Sequence, residues 1–214
     1  MTFEEKYLKY KSKYQDFKNK IPKLIVFDLD STLWPFNCAN DENFNEIEDI
    51  TWTVINDNVI DNKGKLANCY PDVKEIIGEL YDNNISVAYA THNLYKNHVT
   101  ELLKISPIQT KDKLIKKTLW DAGREHNGFL QAYGTGSYWH DKNYNDIPQK
   151  TLHFNELKKA YGLNFNEMLF FDDCPLNIET ALKMGIPSIL LKPAGLTWKT
   201  FNEGIELSIK MNKN

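Results

Sequence analysis

Lys23-Leu-Ile-Val-Phe-Asp-Leu-Asp-Ser-Thr-Leu-Trp-Pro35 is the stretch that decides how this chain folds. Leu24 to Phe27 form a short apolar run, the pattern of a strand covered on both faces in a parallel sheet. Asp28 and Asp30 stand at its end, followed by Ser31 and Thr32 in a turn. Strand residues two apart share one face, so both acids are expected to reach one reacting atom. Open parallel sheets bind ligands at the carboxyl ends of their strands, where these acids fall. Two carboxylates held close repel each other unless a proton or a cation intervenes. The pair is therefore marked for divalent metal, for acid/base chemistry, or for both.

Moving outward, the same logic recurs. Met168-Leu-Phe-Phe-Asp-Asp173 is a second apolar run ending in paired acids. Between and beyond the two runs, strands alternate with helices. A helix is expected from Pro71 to Asn83, with Val73, Ile76, Ile77 and Leu80 on its buried face. A strand follows over Ile85–Ala90, then a helix over Leu94–Ile105. Thr151–Tyr161 reads as a helix capped by Gly162. Ile178–Met184 and Trp198–Met211 are the last helices, with a strand over Ser188–Leu191 between them. The fold class is therefore α/β, with a parallel sheet.

Three segments stand apart from that alternation. In residues 1–20, Phe3, Tyr7, Tyr10, Tyr14 and Phe17 form one stripe of an amphipathic helix. It either folds onto its own domain or docks a partner or a second subunit. Residues 36–70 are polar and broken by turns; Thr51–Ile55 and Val59–Leu66 are expected to pair as a hairpin across Asn56-Asp57-Asn58. Residues 106–149 read as an insertion, with a helical half over Lys111–Trp120 and a glycine- and aromatic-rich half. The domain proper is 21–214, a single unit.

Composition narrows the function. With 214 residues, 42% hydrophobic and 26% charged, the chain can bury one full core. A net charge of -3 favours neither extended nucleic-acid binding nor an anionic membrane. Arg124 is the sole arginine, so bidentate guanidinium clamps on phosphate are scarce and lysine or metal must do that work. Cys38, Cys69 and Cys174 lack zinc-type spacing, and an odd thiol is left in any disulfide scheme, which fits a reducing cytoplasm. No apolar run is long enough to span a membrane, and no secretory leader is visible.

Asp28, Asp30, Asp172 and Asp173 are thus expected to converge at one sheet edge. Their hard oxygens, with no imidazole or thiol in the same strings, favour Mg²⁺ over zinc. Thr91 ends a strand, where its hydroxyl would face the site and bond a phosphoryl oxygen. Lys150 opens a helix, where its ammonium would neutralise phosphate and hold the carboxylates in place.

These four strings resemble the motifs of the haloacid dehalogenase phosphatases. Phe27-Asp-Leu-Asp-Ser-Thr-Leu-Trp-Pro-Phe36, Tyr70-Pro71, Lys150 with His153-Phe154, and Phe170-Phe-Asp-Asp173 with Asn177-Ile178 are similar to the branch of eukaryotic magnesium-dependent phosphatases. The resemblance covers roughly 21–105 and 148–210. It implies a Rossmann-like three-layer fold without a large cap, carrying a small flap. It also implies roles: Asp28 as the nucleophile that forms an aspartyl-phosphate, and Asp30 as general acid and then general base. Mg²⁺ would be held by Asp28, the Asp30 backbone carbonyl and Asp172, with Asp173 acting through water or from further out. Thr91 and Lys150 would cradle the phosphate. In one departure, the branch's usual serine-arginine-threonine is here Thr91-His92-Asn93, which bears on substrate preference.

Without a large cap, neighbouring loops choose the substrate. Trp34 to Asn37, the 51–66 hairpin, His92 and Asn93 are candidates, as is Gly134-Thr-Gly-Ser-Tyr-Trp-His140. The implied reaction is Mg²⁺-dependent phosphomonoester hydrolysis, on protein phosphotyrosine or phosphosugars. A nucleic-acid-end or phosphoserine phosphatase of the same superfamily is one alternative. The other is a non-catalytic phosphate-binding or partner-docking module.

Overall fold

A computed structural model describes residues 21–35, 52–55, 58–62, 64–91 and 150–212. The expected helices over 1–20 and 94–105, the 106–149 insertion, all of 36–51, and His92 and Asn93 lie outside the described residues.

Leu24–Phe27 forms strand β1, wholly buried along its length. It is flanked by Ser86–Tyr89 (β4) and Met168–Asp172 (β5), and Ser188–Leu190 (β6) lies beyond β5. All pairings are parallel, in the order β4-β1-β5-β6. Alternate residues along these strands divide the core into two layers. Ile25, Phe27, Val87, Tyr89, Leu169 and Phe171 face Val73–Asp82 (α1) and Trp198–Met211 (α4). Leu24, Val26, Ala88, Ala90, Met168 and Phe170 face Thr151–Tyr161 (α2) and Pro175–Lys183 (α3). Burial on both faces is why the strands read as continuous apolar runs rather than as alternating ones. The result is the expected three-layer α/β sheet.

On the α1/α4 side, Phe171 stacks between Phe27 and Phe201, at centroid separations of 5.4 and 5.9 Å. Helix α4 comes this close to β5 because Gly204 lacks a Cβ; one built there would lie 2.7 Å from Cζ of Phe171.

Trp52–Ile55 (β2) and Asn58–Asp61 (β3) form the antiparallel hairpin. Its second arm is shorter than the 59–66 expected. Asp61 ends it, accepting the Lys65 N–H on its carboxylate, and the chain turns back so that Leu66 pairs with Ile60. Asn68 anchors the hairpin by accepting the Val59 N–H and donating to Asn58 Oδ1. Two helix starts also differ from expectation. Residues 71 and 72 are a turn before α1, and α3 begins at Pro175 rather than Ile178, since proline suits the first helical turn.

The packing gives a paired prediction. Gly204→Ala is expected to lower stability by about 1–3 kcal/mol, because the new methyl meets a ring that is itself stacked on both sides. Gly78→Ala, in α1 with open space around it, is expected to raise stability by about 0.5–1 kcal/mol. Thermal unfolding of the two variants should shift in opposite directions.

Candidate active site

Register alone brings the first acids together. Phe27 pairs with Phe171, so Asp28 and Asp172 occupy matching positions one residue further along. The ladders continue past the strand ends: the Asp28 N–H donates to Phe171 O (2.9 Å) and the Ala90 N–H to Phe27 O (2.9 Å). By the same alternation, both carboxylates belong to the face covered by α2 and α3.

Lys150, at the head of α2, reaches between them. Its Nζ donates to Asp28 Oδ1 (2.6 Å), Asp172 Oδ2 (2.5 Å) and the Ala90 carbonyl (2.7 Å). The ammonium also lies 5.2 Å from the Phe170 ring centroid. Lys150 is the N-cap residue itself, with φ of 61°, a left-handed conformation that a side chain rarely adopts. Asp172 is fully buried and accepts from several donors. Asn177 Nδ2 donates to both of its oxygens (3.1 and 2.9 Å), and the Cys174 N–H donates to Oδ1 (2.7 Å). Asn177 thus joins the site from the first turn of α3. Its signal in the sequence was an asparagine five residues after Asp172, to which no role had been attached.

Oxygens of Asp28, Asp172 and Asp173 lie within 4.8 Å of one another. Charge makes this cluster incomplete on its own. Lys150 offsets one of the two buried carboxylates, leaving an excess negative charge beside Asp173 on the exposed side. Burial pushes the Asp28 carboxyl well above its ordinary range; Lys150 opposes this, and the neighbouring charges of Asp172 and Asp30 add to it. Burial lowers the affinity of Lys150 for its proton, but the two aspartates outweigh that and hold it as a cation. Burial and the adjacent Asp172 charge also push Asp173 up. A hard divalent cation fits such an all-oxygen donor set.

Asp30 is placed differently from the other acids. The strand ends at Phe27, so the two-residue periodicity does not extend to Asp30. Residues 29–34 form a turn instead, closed by the Thr32 and Leu33 N–H groups on Leu29 O (3.2 and 2.8 Å), with Ser31 at φ of 57°. Asp30 lies outside the group of three converging carboxylates, although its charge acts on both Asp28 and Asp173. Trp34 Nε1–H donates to its Oδ1 at 2.8 Å. The Trp34 ring is wholly buried in the core, so what it offers the site is that N–H rather than an aromatic surface.

Thr91 follows the end of β4 and is 2% exposed. His153, one turn after Lys150, places Nε2 3.1 Å from the Thr91 carbonyl and so ties this loop to α2. On the opposite rim, the Tyr70 ring lies against Gly195, whose φ of 64° and missing Cβ permit the contact, and the Tyr70 hydroxyl donates to Pro193 O (3.1 Å). Among the described residues, no helix is long and apolar enough to cross a membrane.

Comparison with known proteins identifies relatives of this chain. Human magnesium-dependent phosphatase 1 is 29% identical over 193 residues, 89% of each chain. A HAD-like hydrolase superfamily protein of Schizosaccharomyces pombe is 25% identical over 162 residues, 75% of this chain and 80% of that one. The crystal structure of a HAD-superfamily hydrolase from Ehrlichia chaffeensis aligns with a TM-score of 0.45 at 13% identity, covering 90% of this chain and 98% of that chain. The acid phosphatase family model matches residues 20–210, nearly the whole sequence, and the chain therefore belongs to the acid phosphatase family, within the haloacid dehalogenase superfamily that its motifs resemble.

Proposed function

We propose that this protein is a Mg²⁺-dependent phosphomonoesterase working through an aspartyl-phosphate on Asp28. The observation that carries the proposal is the buried triad of Asp28, Lys150 and Asp172, with Asp173 beside it, at the carboxyl ends of β1 and β5. The human relative's name supplies the metal. The donor set fits that metal: Asp28, Asp172 and Asp173 would hold it, together with the Asp30 backbone carbonyl. When bound, Mg²⁺ favours ionised Asp28 against its burial and offsets the charge of the phosphate.

The remaining chemistry belongs to the side chains. A carboxylate oxygen of Asp28 attacks phosphorus, and the ester P–O bond breaks. Asp30 gives its proton to the departing alkoxide, so that a neutral alcohol leaves. Asp30, now ionised, takes a proton from water as the water oxygen attacks the phosphorus of the aspartyl-phosphate. Inorganic phosphate departs and Asp28 is regenerated. Lys150 orients the nucleophile and faces the phosphate with a fixed positive charge. Thr91 bonds a phosphoryl oxygen, and His92 and Asn93, next in the chain, contact the organic part of the substrate.

The family match over 20–210 supports treating 21–214 as one phosphatase domain; a separate helix over 1–20 remains part of the proposal. Protein phosphotyrosine or a phosphosugar is the proposed substrate class, as the resemblance to the magnesium-dependent phosphatase branch implies. The proposed compartment is the cytoplasm, in line with an odd number of cysteines that lack zinc-type spacing. The N-terminal helix is the proposed surface for a second subunit or a partner.

Hydrolysis of p-nitrophenyl phosphate tests the reading directly. Turnover is expected with Mg²⁺, to vanish with EDTA, and to fall more than about 10³-fold in Asp28→Asn. Metal-independent turnover, or an active Asp28→Asn, would refute it. In Asp30→Asn the intermediate should form from this activated ester and then hydrolyse slowly. Intact-mass analysis of the quenched enzyme should show one added phosphoryl group, and wild-type steady-state turnover would sink the assignment. Lys150→Met removes the cation from between two buried carboxylates and is expected to cost about 3–5 kcal/mol of stability. Chemical denaturation with and without Mg²⁺ checks this, with the deficit smaller when the ion is present.

A further inference from the structure

Trp34 is one of the largest fully buried side chains of the protein, yet its one polar atom is directed at a partly exposed catalytic acid. From this geometry we propose that Trp34 is the positioning residue for Asp30: its indole N–H holds Oδ1 and fixes the plane in which the carboxyl group delivers its proton. The proposal rests on the reading of Asp30 as the proton donor to the leaving group.

Three features make the donor immobile. The ring sits, wholly buried, in the same apolar cluster as Leu29, Leu33 and Val59, where close packing restrains it. The backbone of Trp34 pairs with that of Asp30 across the turn. The turn is also clamped from outside: the Tyr70 N–H donates to Leu33 O (2.9 Å) and the Leu196 N–H to Thr32 O (3.0 Å). A proton donor gains rate only when it is aligned with the oxygen whose bond is breaking. Asp30, on a turn with an open side, acquires that alignment from a group anchored in the core. The competing account is that a buried indole simply needs an acceptor and that Asp30 happens to supply one.

The two accounts differ in leaving-group dependence. An acid matters little when the departing group is p-nitrophenolate and greatly when it is an alkoxide. Values of kcat/KM for p-nitrophenyl, phenyl and alkyl phosphates would be compared in the Mg²⁺-loaded full chain, in Trp34→Phe and in Asp30→Asn. The loss in Trp34→Phe is expected to grow with leaving-group pKa, to about tenfold more on the alkyl than on the p-nitrophenyl ester, in the same sense as Asp30→Asn but smaller. An equal loss across the series, or none, overturns the positioning role. If Asp30→Asn itself shows no leaving-group trend, the proton-donor reading fails; if it does and Trp34→Phe does not, only the positioning role fails. Should Trp34→Phe not fold, the Trp34 indole N–H resonance serves instead. It is expected to shift and lose exchange protection in Asp30→Ala, and an unchanged signal overturns the proposal.

Discussion

Everything at the sheet edge depends on the Lys150 ammonium between Asp28 and Asp172. Neither carboxylate could be buried as an ion alone, and the two side by side would repel. One lysine resolves both problems while leaving the cluster a charge short of neutrality. That imbalance is functional in form: a fully neutralised triad would stabilise the fold just as well but would have no electrostatic reason to take up a divalent cation. Stability and reactivity are linked here through one ammonium group and three oxygen acceptors.

Around that centre, regular and irregular backbone divide the work. Strand pairing sets Asp28 against Asp172 to within hydrogen-bonding register, a placement that no loop could hold as firmly. Two further positions lie on segments whose conformation ordinary side chains avoid. Lys150 and Ser31 are both non-glycine residues in the left-handed region, and both border the site. Such positions persist only when their surroundings over-determine them. For Lys150 the three hydrogen bonds of its ammonium do this, and for Ser31 the closed turn below it.

Much of this was legible in the sequence, for identifiable reasons. Doubly buried strands announce themselves as apolar runs, and acids directly after such runs must lie at the carboxyl edge; hence Asp28, Asp172 and the parallel α/β class were within reach. The end of helix α2 was placed correctly because the αL glycine at position 162 is a local signal. The failures share a cause, which is that long-range contacts leave no periodic trace. Asp30 could not be separated from Asp28 by spacing, since only the position of the strand end decides between pleat and turn. Trp34 looks like a specificity residue when it is known only as an aromatic near a site, and burial alone reveals that its N–H is its contribution. Asn177 belongs to the fourth motif string, but nothing in that string says that its amide would bond Asp172. The short second arm of the hairpin turned on an aspartate side chain competing for a backbone N–H, which propensity does not register.

The tie between His153 and the Thr91 carbonyl has an evolutionary corollary. Thr91 and Lys150, the last residue before and the first after a long stretch of chain, are both pinned within the site, by bonds that do not involve the stretch between them. Closing a loop between two fixed points becomes only slowly more costly with length, about 0.6 kcal/mol for each doubling. Changes of length in the chain between them are therefore expected to disturb these two anchor points little. The framework around the buried carboxylates can thus persist while the sequence between Thr91 and Lys150 varies.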